Sequence, residues 1–372
     1  MYTRPFVLAA LANFLFFTNL NAYTLLPLYI QHLGGREGQI GTIMAMYSLA
    51  AICCQLSVGP LIDRFGRKPF MLLGIAIAAG VAFSFTLTGT LGWHFYLLRF
   101  LQGLAYAAFI TSNLTLLADL APPSRRAEAV GIFGVSGLLT IALAPALGEA
   151  VLTAWGFRAF FAVTLLLILA ALAVCLAMEI PVPPAVAKGG GTLGAGFWWT
   201  YIPVLTAAFQ FGLANSIVFF FLPPFARQAG LPRVAPFYLL YSMMAVAVRF
   251  LGGRIADRFG RRQVILPSLV ALSVGVLLFS LLRSTAVLLV IAVINGTAHG
   301  FVYPATSALA FDRAPQGARG KALAAFNTAV LVGSTTGGVG FGWLVELTGY
   351  RPAFAAVGAA LLAGSALFGA RR

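Results

Sequence analysis

The sequence predicts an all-α membrane protein: twelve transmembrane helices in two parallel, pseudo-symmetric six-helix halves. Three observations predict it. The 372 residues are 60% hydrophobic and only 9% charged, against roughly a quarter charged in soluble domains, so a soluble fold would lack a surface to offer water. Apolar runs of spanning length follow one another along the whole chain. Landmarks in the first half recur in the second at a near-constant offset: Asp63 and Asp257 lie 194 residues apart, and "GFRAFF" from Gly156 and "GYRPAF" from Gly349 lie 193 apart.

In chain order, the runs fall at 5–30, 40–62, 69–89, 92–118, 128–150, 158–180, 200–224, 235–256, 263–282, 286–310, 321–345 and 352–370. Barrel strands would alternate in polarity, and open strands cannot leave backbone groups unpaired in lipid, so the runs are helices. The first, "MYTRPFVLAALANFLFF" onward, is too long for a cleaved signal and reads as span one. Between spans six and seven lies "PVPPAVAKGGGTLGAGFWW", stiff where proline-rich and loose where glycine-rich. The expected organisation is therefore an N-terminal half (1–180), a cytoplasmic linker (181–199) and a C-terminal half (200–372). An even number of crossings separates equivalent positions, which makes the repeats parallel.

Lys and Arg set the orientation. With the N-terminus in the cytoplasm, sixteen basic residues fall inside and six outside, leaving Arg99 and Arg249 within spans. Both termini are expected in the cytoplasm of a bacterial inner membrane. The net charge of +15 comes from pairs and triplets between apolar runs, which excludes a nucleic-acid partner and leaves lipid as the neighbour. Cys53, Cys54 and Cys175 lie inside apolar runs with neither zinc nor disulfide spacing. No phosphate loop, nucleophile elbow or metal cluster is present, so no enzyme and no cofactor are expected.

The stretch "GPLIDRFGRKP" holds Gly59, Leu61, Asp63, Arg64, Gly66, Arg67 and Lys68. Its second copy holds Gly253, Asp257, Arg258, Gly260, Arg261 and Arg262. Glycine allows the tight turn and the basic residues meet the inside bias. Asp63 is the anomaly, because a negative charge is unfavourable at a helix C-terminus. Further on, span four carries "RFLQG" (Arg99, Gln102, Gly103) and span five "APALGE".

On these residues the chain resembles the major facilitator superfamily, and within it bacterial drug and metabolite efflux permeases. The "APALGE" element is close to one typical of antiporters, with alanine for the first glycine and Glu149 for the last. The resemblance implies that Asp63 faces the start of span eleven near Lys321, that Asp119 pairs with the loop arginines, and that Asp257 and Asp312 do the same for the other half. Together these would form a cytoplasmic latch.

Ionisable and polar residues inside spans are functional candidates. Arg99 and Gln102 are expected in a cavity, as are Asn13 and Asn21 of span one and Gln210 and Asn215 of span seven. In span ten, Asn295, His299 and Tyr303 fall at i, i+4 and i+8 on one stripe. Arg249 either snorkels, braces the loop or serves the site. With 32 phenylalanines, the cavity is expected to be aromatic with a few polar anchors, which suits a small organic molecule. The resulting expectation is a monomeric secondary transporter exporting such a molecule by alternating access, coupled to proton entry through Glu149 or His299. An uptake symporter or facilitator is the alternative. A non-transporting membrane sensor would need a soluble domain or long tail.

Overall fold

The computed structural model describes residues 3–55, 58–120, 122, 125–179, 195–315 and 319–370, so most of the expected linker lies outside the described residues. Among these residues there are helices and turns and no strand. The helices are α1 (Arg4–Ala22), α2 (Leu26–His32), α3 (Glu37–Gln55), α4 (Val58–Phe65), α5 (Arg67–Leu87), α6 (Trp93–Leu120), α7 (Arg126–Leu176), α8 (Ala195–Gln228), α9 (Ala235–Phe259), α10 (Arg261–Leu278), α11 (Thr285–Arg313), α12 (Arg319–Thr348) and α13 (Tyr350–Ala370).

The twelve runs map onto these helices, with breaks that follow local chemistry. Span one is α1 and α2, joined by the 3-10 turn Tyr23–Leu25; Pro27 cannot donate to a continuous helix there and crowds the carbonyl a turn earlier. Spans five and six are both in α7, a 51-residue run that turns at Gly156, whose φ of 77° is non-helical. Spans eleven and twelve are likewise divided by Gly349 alone, at φ 85°. Such φ values favour glycine. Gly66 (φ 87°) and Gly260 (φ 89°) start α5 and α10 in the same way. The sequence repeat is thus also a repeat of backbone corners.

The chain divides into two compact units: Met1–Gly34 with Met46–Ala187, and Gly35–Ala45 with Lys188–Arg372. Within the first unit, α1 packs on α7 and α5 on both α6 and α7. Within the second, α8 packs on α12 and α10 on both α11 and α13. First helix on fifth, third on fourth and third on sixth is one pairing scheme used twice.

The first unit has its core where Phe6, Phe16, Met71, Ile75, Phe109 and Leu117 meet, with Phe16 stacked on Phe109 at 4.0 Å between centroids. Amides bind its helices together: Asn13 Nδ2 donates to Ser136 Oγ (2.6 Å), Asn21 Nδ2 to Thr140 Oγ1 (2.8 Å), and Asn19 Nδ2 to the Thr164 carbonyl (2.7 Å). In lipid such bonds are worth about 0.6 kcal/mol each on average. In the second unit, Tyr201, Val204 and Phe326 form a core beneath α8 and α12, and the Tyr201 hydroxyl donates to the Ala322 carbonyl at 2.7 Å.

The part of α3 that belongs to the second unit runs along α12 with almost no space between backbones. A Cβ on Gly41 would stand 2.1 Å from the Gly338 carbonyl, and one on Gly342 would stand 2.6 Å from the Glu37 carbonyl. Small residues on both sides permit this approach. At its end, Glu346 accepts from the Gly38 amide at 3.2 Å and lies 3.5 Å from Arg36, a carboxylate set against a helix N-terminus. Large apolar side chains elsewhere face outward, Leu87, Leu166 and Leu347 among them, as a lipid-facing surface requires. Trp93, Trp155 and Trp199 are exposed near helix ends, where interfacial tryptophan sits.

Candidate functional site

The duplicated loop does the same three things in each unit. Gly66 and Gly260 make the corner. The next residue reaches the end of the fourth helix of its own half: Arg67 pairs with Asp119, and Arg261 Nε lies 2.8 Å from Asp312. The residue after that reaches the end of the sixth. Lys68 Nζ donates to the carbonyls of Leu176 (3.1 Å) and Met178 (2.5 Å), and Arg262 Nη2 to those of Phe368 (3.2 Å) and Gly369 (2.9 Å). These cations meet carbonyls left unpaired at helix C-termini. Arg64 and Arg258 lie over the rings of Phe65 and Phe259 at 5.2 and 5.5 Å. A Cβ on Gly59 would meet nothing within 4 Å. The side-chain placements of Asp63, Gly253 and Asp257, on which the expected latch turns, lie outside the described residues.

In the first unit, Arg99 is buried at 3% exposure beside Gln102, to whose Oε1 its Nη1 donates. Its guanidinium lies 5.1 Å over the ring of Tyr47, and Tyr47 meets Tyr106 at 5.3 Å. Gly103 lets α6 close on α3: a Cβ there would be 2.2 Å from the Tyr47 carbonyl. Asn13 and Asn21 are taken up by the helix contacts already described. Glu149 is partly buried on α7, and its carbonyl accepts from Thr153 at 2.7 Å.

In the second unit a polar network crosses three helices. The Tyr241 hydroxyl of α9 lies 2.5 Å from His299 Nδ1 of α11 and donates to Asn215 Oδ1 of α8 at 2.9 Å. Asn215 Nδ2 donates to the Phe211 carbonyl at 2.9 Å. The chain of donors runs in one direction when His299 carries its proton on Nδ1, which leaves the Nε2 lone pair available. One turn on, the Tyr303 hydroxyl donates to Asn327 Oδ1 of α12 at 3.3 Å. The Phe211 ring covers both His299 (5.0 Å) and Tyr303 (5.6 Å). His299, Tyr303, Asn215 and Asn327 are each partly exposed.

Asn295 turns elsewhere. It is buried, donates to its own helix at Ile291 (3.1 Å), and fills the space a Cβ on Gly275 would need. Gln210 accepts from Ser365 at 3.3 Å against α13. Tyr241 and Asn327 are not among the residues the sequence singles out. The signal for Asn327 was its own polarity within an apolar run; Tyr241 carried none that distinguished it from other span tyrosines. A separate cavity of about 400 Å³ is lined by Phe259, Gln263, Val264, Pro267, Ala298 and Phe301; none of the network's residues lines it.

Helices that bury their polar groups against one another, turn lipid-facing leucines outward and repeat one anchored corner in two six-helix halves define a multi-pass membrane protein of transporter architecture. The family model for the Major Facilitator Superfamily matches residues 6–255 and 237–371, and the chain belongs to that superfamily. It is 26% identical over 341 residues to an uncharacterized MFS-type transporter of Methanocaldococcus jannaschii, covering 87% of this chain and 86% of that one. It is 30% identical over 162 residues to the multidrug resistance protein MdtG of Citrobacter koseri, covering 41% of this chain and 39% of that one. The crystal structure of a point mutant of the nucleoside transporter NupG superposes with a TM-score of 0.85 at 16% identity, covering 98% of this chain and 99% of that one. At that identity the likeness is one of fold.

Proposed function

We propose that this protein exports a small organic molecule across a bacterial inner membrane by alternating access, in exchange for protons, as a monomer with both termini in the cytoplasm. The observation that carries this reading is the second unit's network: a hydroxyl pair, an imidazole and two amides held among aromatic rings. Such a surface offers hydrogen bonds and apolar contact together, which suits an amphipathic organic substrate better than a sugar or inorganic phosphate. Export and exchange draw support from the "APALGE" element on α7 and from the partial similarity to a multidrug resistance protein.

Asp119 and Asp312 are engaged in anchoring, each with an arginine of the corner. Glu149 and His299, ionisable groups set within spans five and ten, are the candidates for coupling, alone or together. The test uses inverted vesicles with a pH gradient as the sole drive. The unmutated protein accumulates substrate; Glu149→Gln with His299→Asn abolishes accumulation and retains unenergised exchange, at reduced affinity because His299 also borders the substrate. Accumulation by the double variant would exclude both residues as carriers. An unmutated protein indifferent to the gradient would favour the facilitator reading.

A further inference from the structure

Arg249 belongs neither to the anchored corners nor to the hydrogen-bonded network of the second unit. It stands in α9 ten residues before the end at Phe259, about 15 Å along the helix axis. The apolar run ends nearer, seven residues on at Ala256, about 10 Å along the axis, and a side chain that leaves the helix tilted toward its N-terminus does not cover that distance. Arg249 is partly buried, and its Nε is shut off from solvent with no hydrogen-bond partner among the described residues. The carboxylates described in this unit are placed elsewhere: Asp312 on Arg261, Glu346 on Arg36, and Glu37 in the first turn of α3. Asp257 lies two turns further along α9. Tyr241 and Ala245 of α9 lie against Gly296 and Gly300 of α11, and that register brings Arg249, one turn past Ala245, level with Tyr303 and one turn past His299.

A fixed cation among neutral groups in the membrane interior is unfavourable unless a counter-charge joins it. The described residues do not supply one. Of the neighbouring polar side chains Tyr241 is buried, but His299 and Tyr303 are partly exposed, so an entering molecule can. Guanidinium presents a planar fork of donors that matches a carboxylate. Phe211 lays its ring against His299 and Tyr303, an apolar surface for the ring of such a molecule.

We propose that the second unit carries a subsite for an organic anion, in which Arg249 receives the carboxylate of an aromatic substrate and Tyr303, His299 and Asn215 border it. The proposal rests on the export reading in taking this surface as the substrate's, and adds the substrate's charge. A cationic compound would be repelled at that position.

The test is equilibrium binding to the purified full-length protein in lipid nanodiscs, with no gradient applied. Three probes share one ring system and differ in charge: 2-naphthoate, 2-naphthylmethanol and 2-naphthylmethylamine. The expected order is naphthoate first, with the amine weakest. Arg249→Gln is expected to weaken naphthoate binding at least about tenfold and to leave the alcohol unchanged. Its thermal stability without ligand should not fall, whereas loss of a structural brace would lower it. If Arg249→Gln does not fold, Arg249→Lys decides: it keeps the charge and loses the fork, so naphthoate should weaken more than the alcohol. Amine binding as tight as naphthoate, unchanged naphthoate affinity in Arg249→Gln, or equal weakening of both probes in Arg249→Lys overturns the proposal. Because binding is read at equilibrium, a failure of proton-driven export in vesicles leaves this order intact, and the two readings fall separately.

Discussion

Asp119 and Asp312 occupy equivalent places, yet their partners differ in burial. Arg67 is 6% exposed beside an Asp119 that is 39% exposed, whereas Arg261 and Asp312 are 29% and 50% exposed. Removing Asp119 strands a buried guanidinium; removing Asp312 frees a wetted one. Asp119→Asn should therefore destabilise the protein by about 1–2 kcal/mol after allowance for solvent screening, and Asp312→Asn by less than about 1 kcal/mol. Thermal unfolding in detergent reads the difference, and equal losses would contradict it. The sequence made both acids visible through the repeat. It could not rank them, because burial depends on which neighbours close over the arginine. The span-ten stripe shows a second limit. Residues four apart advance about 40° beyond a full turn, so Asn295, His299 and Tyr303 drift around α11, and Asn295 ends against Gly275.

Where α3 runs along α12, the helices meet through backbone rather than side chains. Gly41→Ala puts a methyl 2.1 Å from the Gly338 carbonyl and must push the helices apart, at about 1–3 kcal/mol for overpacking. Gly340 lies on the same seam-forming helix α12, and a Cβ there meets nothing within 4 Å; Gly340→Ala should be neutral or stabilising by up to about 1 kcal/mol through helix propensity. Unfolding midpoints of the pair measure the contrast, and similar effects would show that the seam is not tight. The glycines of "GGVGFGW" are plain in the sequence. Which of them face a neighbour is not, because an apolar helix in lipid has no polar face to give its orientation away. The span boundaries near Gly156 and Gly349 were legible for the opposite reason. Each glycine sits close to an arginine between apolar runs, and the chain needs a residue free of Cβ to turn there.

For the whole molecule, the bias in Lys and Arg predicts which ends of the helices share a side of the membrane. Arg313, at the end of α11, donates to the Thr200 carbonyl near the start of α8 at 2.8 Å, while Arg227 lies in the last turn of α8. The two positions are therefore separated by nearly the length of α8, about 40 Å at 1.5 Å per residue. Single cysteines at 227 and 313, in a background without Cys53, Cys54 and Cys175, should label from opposite faces of intact cells, with position 227 outside. Labelling of both from one face would refute the twelve-span map. The architecture as a whole was the most legible level, since lipid forces every backbone group into a helix and makes helix length a matter of counting.

The corners at Gly156 and Gly349 join successive helices through a single residue. A joint that short carries phase as well as direction. Deleting one residue from it would rotate everything downstream by about 100°, swinging lipid-facing leucines inward and buried serines toward the acyl chains. Tandem insertions and deletions are therefore expected to be tolerated in the segment between the halves and rejected at these two glycines, so that among descendants of this gene the corners keep their spacing while substitutions accumulate around them.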